Sequence, residues 1–91
     1  MIAVARFEIP LGQGADFRLE LEGVRAVLAE AVGFLGGEVG QNLDEPTLWV
    51  LTTRWENVGS YRRALSAMRT KLEAIPLLAR AIDEPGAYEI N

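Results

Sequence analysis

The chain has 91 residues, 49% of them apolar, with nine Lys or Arg against thirteen Asp or Glu and a net charge of −4. The basic residues are scattered, with Arg62-Arg63 as the single adjacent pair, which argues against a nucleic-acid partner. The absence of both His and Cys excludes disulfides, thiolate nucleophiles, Ser-His-Asp triads and His-ligated metal or haem sites built from this chain.

One domain over residues 1–91 is expected. The start, Met1 to Pro10, shows no basic segment followed by an apolar run and a small-residue cleavage site, and no uncharged apolar stretch approaches the ~20 residues of a membrane span. With no cysteine as well, the expectation is a cytoplasmic protein with no membrane contact. A chain this short buries only roughly 60% of its unfolded surface, so an apolar fraction this high points to a second subunit.

Residues Ile2 to Ile9 alternate as a strand, with Ile2, Val4, Arg6 and Glu8 on one face and Ala3, Ala5, Phe7 and Ile9 on the other. Pro10 ends it. A helix is expected from Gly14 to Val32, with the stripe Phe17, Leu21, Val24, Leu28 and Ala31 inward and Gly33 as its stop. A second strand, Phe34 to Leu43, carries three glycines, which suit a bulge or a close backbone approach. Asp44-Glu45-Pro46 turns the chain into a third strand, Thr47 to Trp55, with Leu48, Val50, Thr52 and Arg54 on one face and Trp49, Leu51, Thr53 and Trp55 on the other.

Asn57 is placed to cap a second helix whose stripe is Tyr61, Leu65, Met68, Leu72 and Ile75. Pro76 breaks that helix and opens a short one to Ala81, and a last strand runs from Ala87 to Ile90. The order β-α-β-β-α-(α)-β predicts an α+β, ferredoxin-like split β-α-β fold, a four-stranded antiparallel sheet with its helices on one face. The first and third strands are apolar on both faces, and helices cover only one, so a homodimer packed through the open sheet face is expected.

A strand ending in Trp55 and feeding a helix that turns Tyr61 inward builds one wall of a pocket between sheet and helices. Phe7, Leu51, Trp55, Tyr61 and Leu65 are the candidate substrate-binding residues there, and Trp55 and Tyr61 the candidate catalytic pair. Trp55 is suited to stack on a flat ring, and Tyr61 to donate to its oxygen or move a proton. Plain core packing explains both residues equally well, and Trp49 reads as core. Arg54 points away from Trp55 by parity. Arg6, Glu8, Glu38 and Arg54 suit ion pairs across a dimer interface.

The run from Gly33 to Leu65, GFLGGEVGQNLDEPTLWVLTTRWENVGSYRRAL, followed by IPLLARAIDEPGAYE, resembles the antibiotic biosynthesis monooxygenase (ABM) family, above all its small actinobacterial members. The resemblance spans essentially the whole chain, and Trp55-Glu56-Asn57 with the helix after it is its most recognisable part. It implies a dimeric α+β barrel. The family includes cofactor-free oxygenases of anthrones and quinols as well as haem-degrading enzymes. Its strand-terminal Trp falls on Trp55, and the Tyr of the anthrone type falls on Tyr61. The first-strand Asn of the haem-degrading type has no counterpart at Arg6-Phe7, and the haem-ligating His is absent. The side-chain amide of the anthrone type falls on Leu51. The expected function is a cofactor-independent monooxygenase of a small aromatic quinol or anthrone-like molecule, needing neither cofactor nor metal. The alternative is a non-catalytic dimeric barrel that binds a small apolar ligand or serves as an accessory protein.

Overall fold

Side-chain alternation decides the sheet. In the computed structural model, which describes residues 1–91, β1 (Ile2–Glu8), β2 (Phe34–Gln41), β3 (Leu48–Trp55) and β4 (Ala87–Tyr88) form one sheet in the order β2-β3-β1-β4, and every neighbouring pair is antiparallel. Phe7 lies opposite Trp49, Ala5 opposite Leu51 and Ala3 opposite Thr53, so these pairs share the inner face. Ile2, Val4 and Arg6 lie opposite Arg54, Thr52 and Val50 on the outer face.

The helices cover only the inner face. Helix α1 (Gly14–Leu28) buries Phe17, Leu21, Val24 and Leu28, the spacing that one face of a 3.6-residue period requires. Together with Phe7, Ile9, Trp49, Leu51 and Trp55 they form the core, each fully buried apolar side chain contributing about 1.5–3 kcal/mol. The architecture is the expected ferredoxin-like α+β fold. No helix is long and apolar enough to cross a membrane.

Element ends differ from the sequence expectation for local reasons. Helix α1 stops at Leu28, not Val32, because the chain tightens: Glu30 and Ala31 donate to the carbonyls three residues back. Gly33 follows with φ 93°, and a Cβ there would stand 2.4 Å from the Ser60 Cβ, so this position needs glycine twice over. Strand β2 ends at Gln41 because the Asn42 Oδ1 accepts from the amides of Asp44 and Glu45 at 2.9 and 2.8 Å, turning the chain early. Strand β4 has two residues, not four.

The largest difference lies after Tyr61. One helix to Ile75 was expected; the chain instead forms α2 (Val58–Ser66), an extended Ala67 (φ −65°, ψ 141°), α3 (Met68–Glu73) and α4 (Ile75–Leu78). The Ser66 hydroxyl donates to the Arg62 carbonyl at 3.0 Å, a bond that competes with continued helix. The break resets the phase. Met68 and Leu72 therefore face solvent, about 70% exposed, while Thr70 and Ala74 are buried in their place. At the start of α2 the Asn57 side chain accepts from the Ser60 amide at 2.8 Å, the expected cap.

Candidate functional site

A cavity of about 340 Å³ lies between the inner face of the sheet and the helices, towards the N-terminal end of β1. Side-chain size explains why it is there. Ala3 and Ala5 supply its floor from β1, and Ala87 from β4; none reaches the helix layer. Leu51 and Thr53 of β3, Leu28 of α1, Tyr61 and Leu65 of α2, and Ile75 and Leu78 of α4 complete the walls. Twelve of the fifteen lining residues are hydrophobic, so orientation of a ligand falls to very few polar groups.

Glu84, Tyr61 and Thr53 are the polar side chains of the lining. Glu84 receives both nitrogens of an Arg6 fork, Nε at 2.8 Å and Nη2 at 3.1 Å, so its carboxylate is held at the rim. The segment carrying it is tied along β1: the Val4 amide donates to the Gly86 carbonyl and the Ile82 amide to the Arg6 carbonyl. The Tyr61 phenol is half-buried, and burial pushes its pKa above the ordinary 10.0, because the phenolate would lose solvation there. At neutral pH it is a neutral O–H. Thr53 is 3% exposed, and its Oγ1 accepts from the Trp55 Nε1 at 2.8 Å.

Of the residues singled out from sequence, Leu51, Tyr61 and Leu65 line the cavity. Trp55 does not. Its ring is 1% exposed and held edge-on between Phe34 (centroids 5.2 Å apart) and Tyr61 (5.7 Å), so it supports Tyr61 from behind and offers no face to a ligand. Phe7 is fully buried at the other end of the sheet, 5.1 Å from Phe17, and is no part of the lining. Arg54 is on the outer face, paired with Glu38 at 3.4 Å, and Arg6 is paired with Glu84, both within one chain.

Thr53 and the wall from Ile75 to Ala87 escaped the sequence reading. The signal for Thr53 was available: it is a hydroxyl at the inward parity between Leu51 and Trp55. Nothing comparable marked the wall, because its residues belong to short elements without long periodicity. No group of three or more carboxylates is arranged to hold a metal ion.

An α+β sandwich of this topology holds a mostly apolar cavity between its sheet and its helices. The chain belongs to the antibiotic biosynthesis monooxygenase family, whose family model matches residues 1–70. Solved structures share the fold. SnoaB, a cofactor-independent oxygenase from Streptomyces nogalater, is 24% identical with a TM-score of 0.83, over 99% of this chain and 91% of that one. A mutant of the same oxygenase aligns at 25% identity and a TM-score of 0.77, over 89% and 82%. A conserved protein from Methanosarcina mazei Go1 follows at 19% identity and 0.74, over 94% and 84%. No curated protein sequence matches the chain.

Proposed function

We propose that this chain is a cofactor-independent monooxygenase of a small aromatic quinol or anthrone-like phenol, bound in the cavity between sheet and helices. One observation carries the reading: an apolar cavity of about 340 Å³ whose wall includes the half-buried, neutral Tyr61 phenol. Such a substrate supplies its own electrons to O₂ once it is deprotonated, so the protein's tasks are to hold the ring, exclude water and stabilise developing negative charge on the ring oxygen. Tyr61 is the donor to that oxygen. Its raised pKa keeps it protonated at neutral pH and so without a free basic form, and substrate deprotonation falls to solvent or to the substrate's own acidity. Trp55 holds Tyr61 in place. The kinship with SnoaB, described as a cofactor-independent oxygenase, supports the same reading.

The whole chain is the functional unit in this proposal, since seven of the fifteen lining residues, Ile75 to Ala87, lie beyond the matched segment. We further propose a cytoplasmic homodimer packed through the outer sheet face. Ile2, Val4, Leu48 and Val50 are only partly covered there, and the family is generally dimeric. Sedimentation at micromolar concentration should give twice the mass of the 91-residue chain; the mass of one chain would refute the dimer.

Oxygen uptake tests the activity. Purified protein with a panel of hydroquinones and anthrones should consume O₂ above the autoxidation rate, and Tyr61→Phe should lower that excess by roughly tenfold or more, as the loss of a donor to a developing oxyanion does. Uptake at the autoxidation rate across the panel would favour the second reading, a non-catalytic barrel that binds a small apolar ligand. That reading draws on Glu84, the one carboxylate of the lining, being engaged by the Arg6 guanidinium.

A further inference from the structure

The three polar groups of the cavity are not equivalent. Glu84 is spent on Arg6, and Tyr61 is only half-buried. Thr53 is buried to within 3%, and its one hydrogen bond is the one it accepts from the Trp55 Nε1. A hydroxyl carries one donor proton besides its acceptor lone pairs. The indole, which only donates, therefore fixes the Thr53 oxygen as acceptor and leaves its O–H without a protein partner.

The sheet limits where that O–H can turn. The Thr53 methyl lies on the β2 side, where Gly37 makes room for it: a Cβ at Gly37 would come within 3.2 Å of the Thr53 Cγ2 and 2.7 Å of the Thr52 carbonyl oxygen. On the β1 side the cross-strand partner is Ala3, whose methyl offers no acceptor. The remaining direction is the cavity that Thr53 lines. A buried donor without a partner is costly, and a ligand oxygen placed there removes the cost.

We propose that the Thr53 hydroxyl is the specificity-determining contact of this cavity, donating to a carbonyl or ring oxygen of a planar aromatic ligand, with Trp55 as a positioning residue that acts through Thr53. The proposal rests on the reading that the cavity takes an aromatic ligand, and it narrows that class: an aromatic ketone or phenol is selected over the hydrocarbon of the same shape. Trp55 thereby has a role that its burial permits, aiming a hydroxyl at the ligand without touching it.

The test compares 1-tetralone with tetralin, which share one bicyclic skeleton and differ by a single carbonyl oxygen that only accepts. Affinities are measured by chemical-shift titration for the wild type, Thr53→Val, Thr53→Ser and Trp55→Phe. The wild type should prefer the ketone by about fivefold, the value of one neutral hydrogen bond. Thr53→Val, isosteric but without the hydroxyl, should lose the preference while binding tetralin as the wild type does. Thr53→Ser should restore it, and Trp55→Phe should reduce it. A merely structural role would weaken both probes together and leave their ratio unchanged. An unchanged ratio in Thr53→Val overturns the Thr53 assignment alone. Failure of both probes to bind the wild type overturns the aromatic-ligand reading of the cavity, and this assignment with it.

Discussion

The space between sheet and helices has two ends built on one register. At the closed end Phe7 faces Trp49 across β1 and β3, and Phe17 packs on both, with ring centroids 5.1 and 6.3 Å away. Helix α1 comes so close there that a Cβ on Gly14 would touch the Trp49 ring at 3.3 Å. At the open end Ala5 faces Leu51 and Ala3 faces Thr53, and the cavity remains between them and the helices. The backbone is the same regular strand throughout. What changes along β1 is volume, from two alanines to phenylalanine over five residues. A site in this fold is made by leaving side-chain volume out at one end, and the aromatic end supplies the packing that the open end forgoes.

That comparison can be broken from the closed end first. Phe7→Ala should cost about 3–5 kcal/mol of unfolding free energy, measured by urea denaturation, since it empties a fully buried ring site. A loss below ~1 kcal/mol would mean the aromatic end is not where stability resides. At the open end the expectation reverses. Ala5→Leu places volume in a region already empty, so unfolding free energy should hold or rise by about 0.5–2 kcal/mol while affinity for a bicyclic ketone falls at least ~10-fold. Unchanged affinity would move the ligand elsewhere.

Smaller effects sharpen the picture of how α2 presents Tyr61. Asn57→Ala removes the side chain that accepts from the Ser60 amide and should cost about 1 kcal/mol, read by thermal or urea unfolding. The smallest effect is in pH. Burial raises the folded pKa of Tyr61 above the unfolded value of 10.0. The unfolded chain therefore ionises first, so the contribution is complete below pH 10.0 and is lost as pH rises from there through the folded value. Unfolding free energy should thus decline less steeply above that point in Tyr61→Phe than in the wild type. Equal slopes would mean that the phenol is better solvated than its place in the cavity wall implies.

Much of the fold was legible along the chain, because it depends on periodicities that a sequence carries. Two-residue alternation sorted every inner-face residue of β1 and β3 correctly, from Ala3, Ala5 and Phe7 to Trp49, Leu51, Thr53 and Trp55. The stripe Phe17, Leu21, Val24 and Leu28 placed α1 on the sheet, and Asn57 announced the start of α2. The site was legible only in part. Tyr61, Leu51 and Leu65 were found because strand parity and one unbroken helix face were enough to aim them.

Parity and stripe alone determined the β-α-β-β-α-β order, the buried face of each strand and the inward turn of Tyr61. They could not determine the phase of the chain beyond Ala67. There the helix ends at Ser66 and an extended Ala67 resets the phase, exchanging Met68 and Leu72 for Thr70 and Ala74 in the buried layer. Nor could they separate a residue that lines a cavity from one buried behind it. Trp55 and Thr53 share one face of β3, but the indole is wedged between Phe34 and Tyr61 while the smaller hydroxyl borders the space above Ala3. Those distinctions depend on how volumes from distant segments fill or fail to fill one shared layer, which is fixed only when the elements pack.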